Sequence, residues 1–177
     1  NSSIAIKIGE KYNVIREYKW LTILNKDNPE YIIRNLSPLI YHDNLAAIIM
    51  PCYDTDLACL IRSPEFNSLG KDHVKYILFN IFKGLAHVHS LNIMHCDLKP
   101  ANILINLNPF YCAITDFGLA NLVSKAYLNP HVCTRFYRAP EIISCSGYSL
   151  PADIWSVGCI ISELVTGDVL FRGHPCG

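Results

Sequence analysis

The stretch IMHCDLKPANILIN, residues 93–106, decides the fold of this 177-residue chain. It places four polar side chains within eight residues, directly before a short apolar run: His95, Asp97, Lys99 and Asn102. Taken singly, each of these residues has an ordinary structural explanation. The role of these residues can therefore be inferred only together with other stretches of the chain, from their order and spacing.

Composition and charge exclude some classes of partner. Fifteen Lys and Arg residues balance fifteen Asp and Glu residues, so no overall field attracts nucleic acid or an anionic membrane. No signal peptide is visible, and no apolar run approaches the roughly 18 residues of a membrane span. We expect an intracellular protein of the cytoplasm or nucleus that binds neither nucleic acid nor membrane. Because the chain begins with Asn and ends at FRGHPCG, it can be a fragment of a longer protein.

The eight cysteines are scattered through the chain and form no C-x-x-C pair. None of them lies in a short Cys/His cluster with the spacing of a zinc site. Cysteines in apolar surroundings usually behave as small buried hydrophobic residues in a reducing compartment. We therefore expect no metal site formed by thiolates.

Apolar alternation and turn residues predict five strands. In the first of them, isoleucines recur at every second position around Lys7 and predict a half-buried strand. The five predicted strands cover residues 2–9, 31–36, 45–53, 102–106 and 111–115.

Apolar residues three and four positions apart predict three helices, at residues 13–25, 70–92 and 152–167. Asp72 is the expected N-cap of the second helix, and Gly167 the expected C-cap of the third. The residues expected to face inward are Ile15, Tyr18, Leu21 and Leu24 in the first helix, Val74, Ile77, Leu78, Ile81, Phe82, Leu85 and Val88 in the second, and Ile154, Val157, Ile160, Ile161 and Leu164 in the third. A small β-rich part is thus followed by a mainly helical part, an α+β order.

Four stretches now stand in a fixed order along the chain. They are AIK with Lys7, HCDLKPAN with Asp97 and Asn102, TDFG with Asp116, and YRAPE with Glu141. Together they resemble the signature of protein kinases, and the resemblance covers nearly the whole chain. A lysine two residues after the catalytic aspartate, here Lys99, is typical of serine/threonine kinases.

The resemblance implies a truncated bilobal kinase fold of the α+β class. Residues 1–53 correspond to part of the small lobe, from the lysine strand to the hinge, and residues 54–177 to part of the large lobe. The first strands with the glycine-rich loop and the last helices fall outside the resemblance, as does the arginine that usually pairs with Glu141. We therefore expect the isolated 177 residues to bind ATP·Mg²⁺ poorly.

The resemblance also implies ATP and Mg²⁺ as cofactors and protein Ser/Thr hydroxyls as acceptors. Asp97 would orient the attacking hydroxyl, Lys99 would steady the γ-phosphate, and Thr134 would hydrogen-bond near Asp97. Asn102 and Asp116 would coordinate Mg²⁺ through oxygen atoms.

On the small-lobe side, Lys7 would hold the α- and β-phosphates. Glu17 is the expected partner of Lys7, with Glu10 as the alternative. The residues implied for nucleotide binding near the hinge are Met50 as gatekeeper, Pro51 and Tyr53 against the adenine edge, and Ala5 and Leu104 on the two sides of the ring. Leu21, His95 and Phe117 would stack between the lobes, and Asp153 would brace the catalytic loop.

Two resemblances concern subgroups of kinases. The ten positions between Lys7 and Glu17, and the stretch MPCYDTDL, resemble the alphaherpesvirus-type kinases, which suggests a viral or similarly diverged source. The stretch TRFYRAPE resembles the cyclin-dependent and mitogen-activated group, in which the arginine at Arg138 favours proline after the target residue. The viral type prefers basic residues before the target, so proline-directed and basic-directed specificity both stay open.

Cys96 replaces the arginine that in most kinases binds a phosphate on the activation segment, residues 119–141. The position that relatives phosphorylate falls at residues 129–131, where no Ser, Thr or Tyr stands. Because receptor and acceptor are missing together, we expect activity without phosphorylation of this segment. Ser124 and Tyr127 remain as other acceptors, and a redox role of Cys96 would require a lowered thiol pKa.

Two other functions fit parts of the pattern. A non-catalytic pseudokinase or scaffold usually lacks the lysine or one of the two aspartates, whereas Lys7, Asp97 and Asp116 are all present. A small-molecule kinase of related fold would share the catalytic loop, but RAPE followed by DIWSVG favours a protein substrate.

Overall fold

An antiparallel three-stranded sheet and one long helix form the first part of the chain. The computed structural model describes residues 3–125 and 133–172. The strand order in this sheet is β1-β3-β2. Its elements, in chain order, are β1 (Ile4–Glu10), α1 (Lys11–Leu24), β2 (Ile40–His42) and β3 (Leu45–Pro51).

The register of β1 against β3 places the lysine on the inner face of the sheet. Ala5 pairs with Met50 and Lys7 with Ile48, and both partners on β3 are buried. The predicted half-buried strand exists, but its isoleucines do not form the buried face. Since side chains alternate along a strand, an inward Lys7 turns its neighbours to the other side. The three exposed isoleucines are Ile4, Ile6 and Ile8, at 53%, 55% and 65% of full exposure.

Helix α1 packs one narrow face against the core. That face consists of Val14, Glu17, Leu21 and Leu24, all buried. Ile15, which the pattern placed inward, is only partly buried, because the buried stripe starts one residue earlier along the helix. That prediction was wrong, and Ile15 belongs to a second apolar face of α1.

Residues 31–36 do not form the predicted strand of the small sheet. Instead, Ile33 N–H donates to the carbonyl of Ile114 over 2.9 Å, and Ile114 N–H donates to the carbonyl of Tyr31 over 2.9 Å. An isolated parallel bridge between Ile32 and Ile114 results, and Leu36 N–H donates a single hydrogen bond to the Ile49 carbonyl of β3 over 2.8 Å. A Cβ built on Gly84 would lie 2.9 Å from the Tyr31 carbonyl oxygen, so this segment is held against the second long helix.

The second part of the chain is mainly helical, with two small sheets beside the helices. Strands β4, β6 and β7 form one antiparallel sheet, and β5 and β8 form a pair. The elements, in chain order, are β4 (Thr55–Asp56), α2 (Leu57–Arg62), α3 (Lys71–Ser90), β5 (Ile93–Met94), β6 (Ile103–Leu107), β7 (Phe110–Ile114), β8 (Asn121–Leu122), α4 (Pro140–Ile143) and α5 (Pro151–Thr166), with 3-10 turns at Pro64–Ser68, Pro100–Asn102, Phe117–Leu119, Val123–Lys125 and Arg135–Tyr137.

Both long helices of this part match their predicted extents, and Gly167 ends α5 with a left-handed φ of 76° as expected of a C-cap. The N-cap of α3 is Gly70, whereas Asp72 lies in the first turn. Two residues expected inside are exposed, Phe82 at 43% and Ile154 at 48%. Phe82 lies outside the buried face of α3, which includes Ile77, Ile81 and Leu85. In α5, the residue before Ile154, Asp153, is buried instead.

One cluster of buried side chains runs through both parts of the chain. It joins Leu21 of α1 and Ile48 of β3 to Ile81 of α3, Phe117 and Ile160 of α5. This shared core fixes the position of the small sheet relative to the catalytic loop. None of the helices in residues 3–125 and 133–172 is long and apolar enough to cross a membrane.

Candidate active site

Helix α5 holds the loop that begins at His95 through the side chain of Asp153. The Asp153 carboxylate accepts hydrogen bonds from the backbone N–H of His95 over 2.8 Å and of Cys96 over 3.0 Å. It also accepts one from Nε2 of His89 over 2.9 Å. Cys96 has a left-handed φ of 65°, a conformation that costs energy for a residue other than glycine. The predicted bracing by Asp153 is thus present, and it holds this strained turn.

Asp97 is the centre of a dense set of hydrogen bonds. Its Oδ1 accepts from the backbone N–H of Thr134 over 2.8 Å and from the Thr134 hydroxyl over 2.7 Å. Its Oδ2 accepts from Nζ of Lys99 over 2.8 Å, and the same Nζ donates to the Thr134 hydroxyl over 2.9 Å. Asp97, Lys99 and Thr134 therefore form one unit, although Thr134 comes 37 residues later.

The Asn102 side chain is oriented by two hydrogen bonds from its amide nitrogen. Its Nδ2 donates to the backbone carbonyl of Asp97 over 2.8 Å and to the Asp97 carboxylate over 3.3 Å. Its side-chain oxygen, Oδ1, is the atom that would coordinate a metal ion. Thr115 N–H donates to the Asn102 carbonyl over 3.0 Å, which ties Asp116, the next residue, to the catalytic loop.

Lys7 joins helix α1 to the loop that carries Asp116. Its Nζ lies 2.6 Å from Oε2 of Glu17 and 2.9 Å from Oδ1 of Asp116. The structure thus selects Glu17 as the partner of Lys7, whereas Glu10 accepts a long hydrogen bond of 3.4 Å from Asn13.

Charge and burial act against each other on these three groups. Burial alone would lower the pKa of Lys7, but the charges and hydrogen bonds of Glu17 and Asp116 raise it above its ordinary value. Burial likewise would raise the pKa of Asp116, but the hydrogen bond and charge of Lys7 lower it. Burial raises the pKa of Glu17, and Lys7 acts in the opposite direction. Lys7 and Asp116 are therefore both charged at neutral pH.

A cavity of about 390 Å³ opens beside these charged groups. Its lining includes Lys7, Glu17 and Asp116, together with Gly9 and Gly118. In the described part of the chain, no group of three or more His, Cys, Asp or Glu side chains could hold a metal ion by itself. Mg²⁺ commonly takes one or two protein oxygens and completes its shell with phosphate oxygens and water. Asp116 and Asn102 fit that pattern.

The residues expected near an adenine ring lie on β1, at or just after the end of β3, and on β6. Met50 is buried, and Pro51 and Tyr53 are partly buried on either side of the exposed Cys52. Cys52 N–H donates to the carbonyl of Ser3 over 3.1 Å, so it is engaged within the protein. Ala5 and Leu104 are both partly buried. Contact of these five residues with adenine stays a prediction.

The predicted stack between the lobes consists of three fully buried residues, Leu21, His95 and Phe117. The rings of His95 and Phe117 lie 4.7 Å apart. Nδ1 of His95 accepts from the N–H of Asp97 over 3.2 Å, so its Nε2 carries the hydrogen and donates to the Thr115 carbonyl over 2.9 Å. The histidine thereby links Asp97 to the loop of Asp116.

Sequence reasoning missed three residues that support this site, Tyr137, Ser156 and Glu163. The Tyr137 hydroxyl donates to the buried carboxylate of Glu163 over 2.6 Å, and the backbone carbonyl of Tyr137 accepts from the Ser156 hydroxyl over 2.7 Å. These bonds anchor the end of the activation segment to α5. A glutamate within the apolar sequence of α5 was the signal, because a buried carboxylate requires a partner. Glu141, whose usual arginine partner falls outside the resemblance, is only partly buried, so desolvation of its carboxylate costs less than full burial would.

A bilobal arrangement with this loop and this lysine–glutamate pair defines the class of protein. The chain belongs to the protein kinase domain family, which it matches over residues 3–175.

Its curated relatives include several mitogen-activated protein kinases. Mitogen-activated protein kinase 5 of Arabidopsis thaliana is 41% identical over 186 residues, covering 98% of this chain and 48% of that protein. Mitogen-activated protein kinase 4a of Physcomitrium patens is 42% identical over 180 residues, covering 95% and 47%. Mitogen-activated protein kinase 4 of Mus musculus is 36% identical over 174 residues, covering 91% and 29%. The chain thus spans about half the length, or less, of these relatives.

These matches agree with the resemblance of TRFYRAPE, residues 134–141, to the cyclin-dependent and mitogen-activated group of kinases. The resemblance of the small lobe to alphaherpesvirus-type kinases stays a prediction.

Proposed function

We propose that the protein containing this chain transfers the γ-phosphate of ATP to Ser or Thr hydroxyls of protein substrates. The observation that carries the proposal is the Asp97–Lys99–Thr134 unit, tied through Asn102 and Thr115 to the Lys7–Asp116 pair. The arrangement supports the proposal because it offers a carboxylate that would accept a proton, two amines that would neutralise phosphate charge, and two oxygen-bearing side chains that would bind Mg²⁺. Phosphoryl transfer depends mainly on such positioning and on charge neutralisation.

Each residue has a role that its contacts support. ATP with Mg²⁺ supplies the phosphoryl group, and Asp116 and Asn102 would hold the metal. Lys7, fixed by Glu17, would neutralise phosphate charge on the small-lobe side, as Lys99 would near the acceptor. Asp97 would orient the acceptor hydroxyl and take its proton.

The test uses the full-length protein with ATP·Mg²⁺ and three peptides that differ around one serine. One has proline after the serine, one has alanine there, and one has arginines before it. Transfer to serine with a preference for proline is expected from Arg138, whose Nη2 donates to the Cys133 carbonyl over 2.9 Å and so shapes the segment after Thr134. A preference for the arginine peptide would instead favour the viral-type specificity. No transfer to any peptide or general protein substrate would count against the kinase proposal.

We further propose that activity does not require phosphorylation of the activation segment. Cys96 is 4% exposed, and burial raises the pKa of its thiol well above the usual range, so it neither binds phosphate nor reacts readily as a thiolate. Instead it belongs to an apolar cluster that joins the catalytic loop to the activation segment and to α5. The cluster consists of Met94, Cys96, Cys133, Ala139, Ile142 and Ala152.

Mitogen-activated protein kinases normally need that phosphorylation, so the proposal separates this chain from its relatives. Residues 129–131 and Tyr127 lie outside the described residues, whereas Ser124 is exposed. The test combines Ser124→Ala with Tyr127→Phe in the full-length protein and adds phosphatase treatment. We expect at least half of the peptide kinase activity to remain, and collapse of activity would refute the proposal.

We also propose an intracellular location in the cytoplasm or nucleus. Seven cysteines in the described residues are free thiols, which fits a reducing compartment.

A further inference from the structure

Two cysteines stand directly before the two residues that meet at the centre of the candidate active site. Cys96 precedes Asp97, and Cys133 precedes Thr134. The backbone N–H and the hydroxyl of Thr134 both donate to Oδ1 of Asp97, over 2.8 and 2.7 Å. The backbone at the two cysteines therefore sets where the two sides of this contact lie.

Both cysteines have a left-handed backbone conformation. The φ angle is 65° at Cys96 and 66° at Cys133, which is costly for a residue other than glycine and persists only where the surroundings hold it. The N–H of Cys96 donates to Oδ1 of Asp153 over 3.0 Å, and the carbonyl of Cys133 accepts from Nη2 of Arg138 over 2.9 Å. These bonds hold each turn in place, but neither of them joins one turn to the other.

The side chains of the two cysteines lie in one apolar cluster. Cys96 is 4% exposed and Cys133 is 7% exposed. Burial raises the pKa of the Cys133 thiol to about 12, so this side chain is uncharged at neutral pH. The other buried members are Met94, Ala139, Ile142 and Ala152, and Val123, Tyr148 and Leu150 pack against them. The cluster thus joins the turn of the catalytic loop to the turn of the activation segment through uncharged groups.

Most kinases have a different kind of contact here, because an arginine in place of Cys96 binds a phosphate on the activation segment. That ion pair depends on the phosphate, whereas burial of apolar side chains depends only on folding. A guanidinium buried in the cluster without a phosphate would be an unpaired charge, which is strongly unfavourable. The cluster therefore suits an activation segment that carries no phosphate.

We propose that Cys96 and Cys133 are paired positioning residues. Their packing in this cluster fixes the two left-handed turns relative to each other and so holds Thr134 on Asp97 without a phosphate. The inference deepens the proposal that activity requires no phosphorylation of the activation segment, and its effect on catalysis rests on the proposed kinase activity. Both thiols act through Asp97 and Thr134 rather than on the reacting atoms.

Two substitutions separate the side chains from the backbone that carries them. Cys133→Gly removes the thiol from the cluster but leaves a residue that adopts a φ of 66° without strain. A purely conformational role of this turn would tolerate the glycine, whereas a packing role would not. Cys96→Arg introduces the arginine of most kinases into the apolar cluster. Cys145→Gly is the matched control, because Cys145 is an exposed free cysteine with a left-handed φ of 52°.

The experiment measures hydrogen–deuterium exchange of the Thr134 amide in the full-length, phosphatase-treated protein, by mass spectrometry with fragmentation to single residues. This amide donates the 2.8 Å bond to Asp97, so its exchange rate reports how firmly Thr134 is held. The wild type is also measured before phosphatase treatment. The kcat for peptide phosphorylation is measured on the same samples, and the stoichiometry of nucleotide binding counts the folded molecules.

We expect slow exchange of the Thr134 amide in the wild type, with and without phosphatase treatment. Exchange should be at least tenfold faster in Cys133→Gly and Cys96→Arg, and within twofold of wild type in Cys145→Gly. The kcat per folded molecule should fall at least tenfold in the first two variants, with KM for ATP within twofold of wild type.

Unchanged exchange in Cys133→Gly would overturn the proposal, even if Cys96→Arg fails to fold. Equal acceleration in Cys145→Gly would also overturn it. So would protection that phosphatase removes from the wild type, because a phosphate would then hold Thr134.

The exchange readout needs no catalysis, so this inference and the kinase proposal fail separately. Absence of phosphate transfer together with the expected exchange rates would refute the kinase activity and support the positioning role. Normal transfer with unchanged exchange in Cys133→Gly would overturn the positioning role alone.

Discussion

The two halves of the candidate site are built in different ways. On the catalytic-loop side, the Asp97 side chain is 9% exposed and accepts hydrogen bonds from Thr134, Lys99 and Asn102. On the small-lobe side, the Lys7 and Asp116 side chains are 37% and 41% exposed, and their 2.9 Å contact joins residues 109 positions apart. The first half is a buried network fixed to α5, whereas the second depends on where α1 and β1 lie.

Under the proposed function, this difference separates the residues that would act on the acceptor hydroxyl from those whose position depends on α1. A buried, fully bonded carboxylate is rigid and costly to disturb, which suits a group that must meet a hydroxyl in one geometry. An ion pair between elements of two lobes forms only when those elements are correctly placed. Movement of α1 would therefore change the lysine side of the site and leave the catalytic loop intact, and three substitutions test this comparison.

The largest effect is expected from Asp97→Asn. The amide keeps an oxygen for Thr134 but cannot take a proton, and its NH₂ group would face the amine of Lys99. We expect kcat for peptide phosphorylation by the full-length protein to fall about 10²–10⁴-fold, with nucleotide affinity within a few fold of wild type. Asp72→Asn, at a 94% exposed side chain, is the matched control. Loss of nucleotide binding together with activity would indicate misfolding, and it would contradict a purely chemical role of Asp97.

A smaller effect is expected from Glu17→Gln, which removes the charge that positions Lys7 and leaves the catalytic loop untouched. Misplacement of a positioned group by about 1 Å can cost up to about 10²-fold. We therefore expect kcat/KM for ATP to fall by roughly 10–100-fold, measured at fixed peptide concentration. The control is Glu10→Gln, which should stay within twofold of wild type. Equal losses in both variants would show that the observed pairing does not matter for function.

The smallest effect is expected on stability, at the contact between segment 31–36 and helix α3. A Cβ at Gly84 would lie 2.9 Å from the Tyr31 carbonyl oxygen and 3.0 Å from Cδ1 of Ile114, so Gly84→Ala should cost about 1–3 kcal/mol of unfolding free energy. Gly158→Ala is the control, because its Cβ meets nothing within 4 Å and alanine stabilises a helix by up to about 1 kcal/mol. Urea denaturation of both variants measures the difference. A stabilising Gly84→Ala would mean that segment 31–36 is not held as described.

Much of the site could be predicted from the sequence because its residues lie close together in it. Residues 95 to 102 carry their order and spacing within one loop, so Asp97, Lys99 and Asn102 could be recognised without coordinates. Thr134 and Asp116 lie within stretches that resemble those of one family. The helices were also predicted within a few residues, since their apolar spacing extends over three or more turns.

The errors fall where the neighbours of an element decide which face is buried. The pattern gave Ile15, Phe82 and Ile154 inward positions, yet all three lie at the edge of a buried stripe or beyond it. The pattern also made a strand of residues 31–36, whose backbone instead pairs with Ile114. An apolar pattern predicts that one face of a helix or strand is buried, but it does not identify the neighbouring element that buries it.

The sequence by itself determined the fold class, the catalytic loop and the replacement of arginine by Cys96, because local order encodes these features. Only the tertiary structure decided that Glu17 rather than Glu10 meets Lys7 and that α1 has two apolar faces. It also decided that Thr134 docks on Asp97 and that Cys96 joins an apolar cluster. Contacts between distant residues follow from the packing of whole elements, and that packing depends on the summed shape and burial of many side chains rather than on any short stretch.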